Sequence, residues 1–226
     1  MAETQEITTI NFTGLNCYLV KTADNCMLID TGIASKRVFL EKKLKELGCQ
    51  PGNLKLIILT HGDIDHVGNA NYLREKYGAK IAMHAADAGM VERGDMSVNR
   101  KTKPDKMSLT FKVLGSVVGL FVKPGKVDGF KPDLTIDESF NLRDYGFNAE
   151  IIHLPGHSKG SIGVLTNEGT LFCGDFVYNM LGFNMIDNLS DHNASIERLK
   201  KLNIRTIYPG HGKPIPIDKF RRRFRS

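Results

Sequence analysis

The sequence predicts an α/β protein of two or four layers, assembled from two similar halves. Three observations carry that reading. Short apolar runs of strand length alternate with amphipathic stretches of helix length over residues 16–84, and the same rhythm returns over residues 134–208. Histidine and aspartate fall repeatedly just beyond the apolar runs. The composition is 41% hydrophobic and 25% charged over 226 residues, which excludes wholesale disorder, collagen and coiled coil. That length is close to one domain and buries a sizeable core.

Asn16–Lys21 and Cys26–Asp30 read as strands, separated by the turn-like Thr22-Ala23-Asp24-Asn25. Residues 35–48 set Val38, Leu40, Leu44 and Leu47 near helical spacing, and Gly48 suits a C-cap. Pro51-Gly52 is a turn, Leu54–Leu59 a buried strand, His66–Tyr77 a helix closed by Gly78, and Ala79–His84 a further strand. Residues 97–131 break the rhythm. Basic residues flank a 16-residue stretch, Met107–Val122, in which only Lys112 is charged. It is too short to span a bilayer and reads as a lid or insertion over a site, with a plain core helix or an interfacial helix as the alternatives. Leu134–Leu142, Glu150–Leu154, Ser161–Thr166 and Thr170–Cys173 read as strands, Asp191–Leu202 as a helix, and Ile204–Tyr208 as the last strand. With no internal repeat, residues 1–226 are expected to form one domain.

The net charge of +6 and the pI of 9.1 are unevenly distributed. Residues 97–131 carry eight basic and two acidic side chains, and the tail 219–226 carries five basic and none acidic. A nucleic-acid enzyme usually spreads its basic footprint over one face, so two short patches argue only weakly for such a partner. The tail reads as a frayed, solvated end. The start of the chain has no apolar signal region, and the four cysteines show no CxxC spacing. They are expected as reduced thiols of a cytoplasmic protein.

Four of the strand-like runs end in clusters that suit metal chemistry. They are Thr60-His61-Gly62-Asp63-Ile64-Asp65-His66, Leu154-Pro155-Gly156-His157, Phe172-Cys173-Gly174-Asp175 and Tyr208-Pro209-Gly210-His211. Imidazole nitrogens and carboxylate oxygens suit zinc, iron or manganese, and a neighbouring glycine lets the backbone turn sharply enough to bring ligands together. Taken alone, the first cluster also reads as a helix start capped by aspartates. Four such clusters together point to a metal site. His84, His153 and Cys173 are expected to be structural, His192 exposed, Lys159 solvated, and Tyr178 and Asn179 near a substrate.

From Leu28-Ile29-Asp30-Thr31-Gly32 to Pro209-Gly210-His211-Gly212, the chain resembles the metallo-β-lactamase-fold hydrolases. The resemblance implies a four-layer αββα sandwich with the metals at one edge between two sheets. Carried over by position, it implies His61, Asp63 and His157 at a first metal, Asp65, His66 and His211 at a second, and Asp175 bridging them. Asp30 would orient the His-Asp loop from behind. The family usually reads HxHxDH, and this chain has Asp63 in place of the second histidine. The substitution adds a third carboxylate to the ligand set, which favours a harder ion and weakens the metal as a Lewis acid. Two divalent ions are expected, with zinc placed slightly ahead of iron or manganese.

The implied reaction is hydrolysis by a metal-held hydroxide, with a metal or Asp65 assisting the leaving group. The favoured substrate is a small ester-type molecule such as a thioester or lactone. The alternatives are a phosphodiesterase or nuclease of the same fold, a di-iron redox-type protein, and a metal-binding protein without catalysis. Nucleic acid is the less favoured partner, and self-association stays open.

Overall fold

The computed structural model describes residues 5–109, 129–180 and 185–225. All but the first three residues of the apolar stretch read as a lid, Met107–Val122, lie outside the described residues.

The first sheet runs in the order β1 (Glu6–Asn11), β2 (Asn16–Lys21), β3 (Cys26–Ile29), β4 (Leu54–Ile58), β5 (Lys80–Met83) and β7 (Leu134–Thr135). The first three strands pair antiparallel as hairpins, and β3, β4, β5 and β7 are parallel. The second sheet runs β13 (Ile215–Pro216), β12 (Thr206–Tyr208), β10 (Thr170–Phe172), β9 (Ile162–Thr166) and β8 (Ala149–His153). A small ladder joins β6 (Lys106–Met107) to β11 (Met185–Ile186).

The period-2 alternation of strand side chains sets the layers. Cys17 and Leu19 of β2 point to one face, where they join Leu40 and Leu44 of α1 (Arg37–Glu46) and Leu73 and Tyr77 of α3 (Ala70–Tyr77). Tyr18 and Val20 point the other way, into a core shared with Ile151, Ile162, Val164 and Phe172 of the second sheet. On the far side of that sheet Ile152, Leu165 and Leu171 pack on Ile196 and Leu199 of α5 (Leu189–Leu199) and Phe220 of α6 (Ile217–Arg223). The order helix, sheet, sheet, helix is the expected αββα sandwich. Among the described residues no helix is long and apolar enough to cross a membrane, and the four cysteines are buried and unbridged.

Several local expectations are corrected. The helix read over His66–Tyr77 is two: α2 (Ile64–Val67) and α3, interrupted where the Asn69 side chain bonds to the carbonyls of Thr31 and Ile33 at 2.8 and 3.1 Å. The run Leu134–Leu142 is strand only at its first two residues, because Asp137 turns the chain by accepting from Ser139 N at 2.8 Å. Ala85–Arg93 adds a helix, α4, capped by His84, whose side chain accepts from Ala86 N. The tail is not frayed: α6 buries Phe220, and Arg223 Nη1 donates to the Tyr178 carbonyl at 2.7 Å.

Direction of travel places the site. In the first sheet β3 and β4 are parallel, so both finish at the same edge. In the second, β8 and β10 are both antiparallel to β9, and β12 is parallel to β10, so these three finish together. Ile162 N donates to Thr60 O at 2.9 Å and brings the two edges into register.

Candidate metal centre

Asp30, directly after β3, organises the first group of histidines. It holds a left-handed backbone (φ +58°), a conformation aspartate tolerates better than most residues. Its Oδ1 accepts from Thr60 N at 2.8 Å, and its Oδ2 accepts from Thr60 Oγ1 and His66 Nδ1, both at 2.8 Å. A carboxylate only accepts, so these contacts fix protons. The Thr60 hydroxyl gives its hydrogen to Asp30 and must accept from His61 Nδ1, 2.9 Å away. His157 Nδ1 donates to the Met185 carbonyl at 3.0 Å. In all three imidazoles Nδ1 carries a proton, which leaves Nε2 as the inward-facing nitrogen.

Two glycines let the loops close on one another. Gly174 has φ +50°, and a Cβ there would collide with the Thr60 side chain and lie 3.2 Å from His61 Nδ1. A Cβ on Gly210 would collide with Asp175 Oδ1 and lie 2.6 Å from His66 Cε1. The His211 loop is further tied by Tyr18 Oη and Asn16 Nδ2, which donate to the Pro209 carbonyl at 2.5 and 3.0 Å.

The result is two groups of ligand-type atoms, His61, His157 and Asp175 in one and Asp65, His66 and His211 in the other, each within 4.8 Å of one another. Asp175 reaches toward the second group as well: its Oδ1 lies 3.3 Å from His66 Nε2 and its Oδ2 3.5 Å from His211 Nε2. Asp65 Oδ2 lies 3.2 Å from His211 Nε2. Asp63 Oδ2 lies 3.1 Å from His157 Nε2 and 3.5 Å from His61 Nε2. His61 Nε2, His66 Nε2 and Asp175 Oδ1 are buried and have no hydrogen-bond partner. Leaving such atoms unsatisfied costs about 1–3 kcal/mol each. A cation among them would satisfy all three, so the donor set fits divalent metal.

The electrostatics are those of a site that concentrates charge. Burial pushes the Asp175 carboxyl up, but the His66 and His211 imidazoles pull it further the other way, leaving it well below the usual carboxylate range. Burial likewise pushes Asp63 up, and Arg100 and His61 outweigh it. Burial lowers His66, yet Asp175, Asp30 and Asp65 together raise it well above an ordinary imidazole.

The remaining expected residues divide. Tyr178 lies at the site, stacked on His211 with ring centroids 5.8 Å apart, whereas Asn179 is occupied in bonding Lys213 O at 2.8 Å. Lys159 is exposed and Cys173 buried. His84 and His153 stack on each other at 4.3 Å, apart from the two groups. His192, expected to be exposed, is buried: its Nε2 lies 3.1 Å from the Phe176 carbonyl and its ring stacks on Phe176.

Two residues escaped the sequence reading. Asp87 of α4 is buried and accepts from Ser158 Oγ at 2.6 Å, Gly160 N at 2.8 Å and Gly62 N at 3.3 Å, so it ties the His61 loop to the His157 loop. Nothing in Ala85-Ala86-Asp87-Ala88 signals this. Arg100 is almost fully buried and meets Asp63 Oδ1 at 2.7 Å. It had one legible mark, being the only arginine among the eight basic residues of 97–131.

The chain is 32% identical over 166 residues to the hydroxyacylglutathione hydrolase GloC of Haemophilus influenzae, covering 72% of this chain and 66% of that one. It is 26% identical over 215 residues to the acyl-coenzyme A thioesterase MBLAC2 of Gallus gallus, covering 87% and 72%. The chain spans 58–66% of the length of the first curated relatives it matches. The metallo-beta-lactamase family protein TTHA1429 from Thermus thermophilus shares its fold, with a TM-score of 0.70 at 24% identity, covering 95% and 75%. The family model of the metallo-beta-lactamase superfamily matches residues 10–211, from β1 to the His211 loop, and the chain belongs to that superfamily.

Proposed function

We propose that the protein is a metal-dependent hydrolase acting on a small thioester or related ester. One observation carries the metal chemistry: two groups of inward-facing ligand atoms meet at Asp175, with three of their buried atoms lacking a hydrogen-bond partner. The choice of substrate is supported by the names of two relatives, a hydroxyacylglutathione hydrolase and an acyl-coenzyme A thioesterase.

In this reading His61, Asp63 and His157 would hold one ion, Asp65, His66 and His211 would hold the other, and Asp175, grouped with His61 and His157 and reaching toward His66 and His211, would contribute to both. Bound divalent ions supply an acidified water and an electrophile for the carbonyl oxygen. The chain's own contribution is order. Asp30 keeps the Nδ1 protons of His66 and, through Thr60, of His61 in place, so neither ring turns or changes tautomer. Burial raises the Asp65 carboxyl, but His66 and His211 outweigh it and keep it ionised, so from its 39% exposed position beside His211 it would accept the proton released by the attacking water and pass it to the departing thiol or alcohol. The Tyr178 hydroxyl lies 3.5 Å from His157 Nδ1, the nitrogen bonded to Met185 O, and helps hold that ring in place.

The test is elemental analysis of protein purified without added metal, followed by assays on thioesters, lactones and phosphodiesters. Two equivalents of metal with thioester or ester cleavage support the proposal. Phosphodiester cleavage in preference to both, or an ion-free inactive protein, refutes it.

A further inference from the structure

Replacing a histidine by Asp63 adds a negative charge to the ligand set, and the structure places a positive charge directly against it. Arg100 Nη2 lies 2.7 Å from Asp63 Oδ1 and 3.2 Å from His157 Nε2. Both side chains are only 9% exposed. His157 has its proton on Nδ1, so the inward pair on Nε2 faces the arginine. Asp63 Oδ2, the oxygen not paired with Arg100, remains 3.1 Å from His157 Nε2 and 3.5 Å from His61 Nε2. Arg100 Nε is buried without a hydrogen-bond partner, so the guanidinium is only partly satisfied by this pairing.

A buried guanidinium with an unsatisfied edge is costly unless its charge is needed where it lies. Here it cancels the charge that distinguishes Asp63 from a histidine, and it cannot be switched off by pH because arginine stays protonated. No comparable cation contacts the second group: its one acidic member, Asp65, faces only histidines in the ion pairs of the described residues, as does Asp175 of the first group where it reaches toward His66 and His211.

We infer that Arg100 is a resident counter-cation of the first ion position, formed by His61, Asp63 and His157. The inference rests on the reading of the site as a metal centre. Arg100 neutralises Asp63 and repels an incoming dication, so the two positions differ in affinity and the one at Asp65, His66 and His211 fills first.

The test is a metal titration of the full-length protein with Zn²⁺ or Mn²⁺ against a chromophoric chelator. Wild type should bind two ions with well-separated dissociation constants. His157→Ala removes the weaker constant and so assigns it. Arg100→Gln keeps a hydrogen-bond donor near Asp63 but removes the charge. It should tighten the first position on the order of tenfold or more, the repulsion expected between a guanidinium and a dication in a poorly screened site. The second constant should stay within about threefold. Arg100→Lys should keep the wild-type separation.

Thermal unfolding supplies an independent readout. Metal-free Arg100→Gln should melt below wild type, because Asp63 is left buried without its cation, and should gain more on metal addition. The double variant Asp63→Asn/Arg100→Gln should recover the metal-free melting temperature and lose the tightening. Two ions in wild type with an unchanged or weaker first position in Arg100→Gln overturn the inference and leave the metal centre standing. Equal constants in wild type also overturn it. A wild type that takes up no ion overturns both.

Discussion

Asp30→Asn is the most informative single substitution in the site, because it alters protons while keeping shape. The aspartate accepts three hydrogen bonds, from Thr60 N, Thr60 Oγ1 and His66 Nδ1, all at 2.8 Å. Asparagine offers one oxygen and one NH₂. With the NH₂ at Oδ2, it must donate to His66 Nδ1, which moves the ring proton to Nε2, the nitrogen facing Asp175 and Asp65, and to Thr60 Oγ1, which turns that hydroxyl to donate to His61 Nδ1. With the NH₂ at Oδ1, it opposes the Thr60 N–H. The first choice reverses the ring protons of His66 and His61, and the second leaves one buried donor conflict, about 1–3 kcal/mol. If the conflict falls on the His66 tautomer, metal affinity drops by about 10–100-fold. Metal competition titration measures the loss, and nitrogen NMR of the His66 ring reports the tautomer. Affinity within about threefold of wild type, with the Nδ1 proton retained, would refute the proton-ordering role.

Three further outcomes follow from the contacts. Gly210→Ala drives a methyl group against Asp175 Oδ1 and His66 Cε1, so it should lose at least about tenfold in metal affinity while the secondary structure by circular dichroism is unchanged. Asp87→Ala strands the Gly62 and Gly160 amides, while Ser158 keeps Ser161 Oγ at 2.7 Å; urea unfolding should show a loss of about 2–5 kcal/mol. His192 has its pKa pushed down, chiefly by burial, with the Phe176 hydrogen bond opposing and His157 adding to the depression. Between that depressed value and the ordinary 6.5, the unfolded chain binds more protons, so stability is full above the window and falls as pH drops through it. The stability advantage of wild type over His192→Gln should therefore shrink as pH falls from about 7 to 5, by up to about 1.4 kcal/mol per unit; a constant difference rules the linkage out.

How much of this could be read from the sequence follows a physical division. Strands such as Asn16–Lys21 and Ser161–Thr166 were legible because a buried strand is a local apolar run. The loop residues were legible because ligand-type side chains next to glycine at a strand end are a local pattern too, as in Gly174-Asp175 and Gly210-His211. What escaped is decided by distant partners. The break between α2 and α3 depends on Asn69 finding the carbonyls of Thr31 and Ile33. The burial of His192 depends on Phe176, and the order of the tail depends on the second sheet accepting Phe220.

Asp63 shows the same division acting on charge. Read along the chain, it is one carboxylate too many for a metal set, and the local inference is a poorer Lewis acid and a harder ion. Read in space, its partner is Arg100, 37 positions later, and the pair contributes no net charge. The charge count over Asp63, Asp65 and Asp175 thus omits a cation that the chain delivers from another segment. What Asp63 and Arg100 change instead is the symmetry of the two ion positions, one of which carries its own cation before any metal arrives.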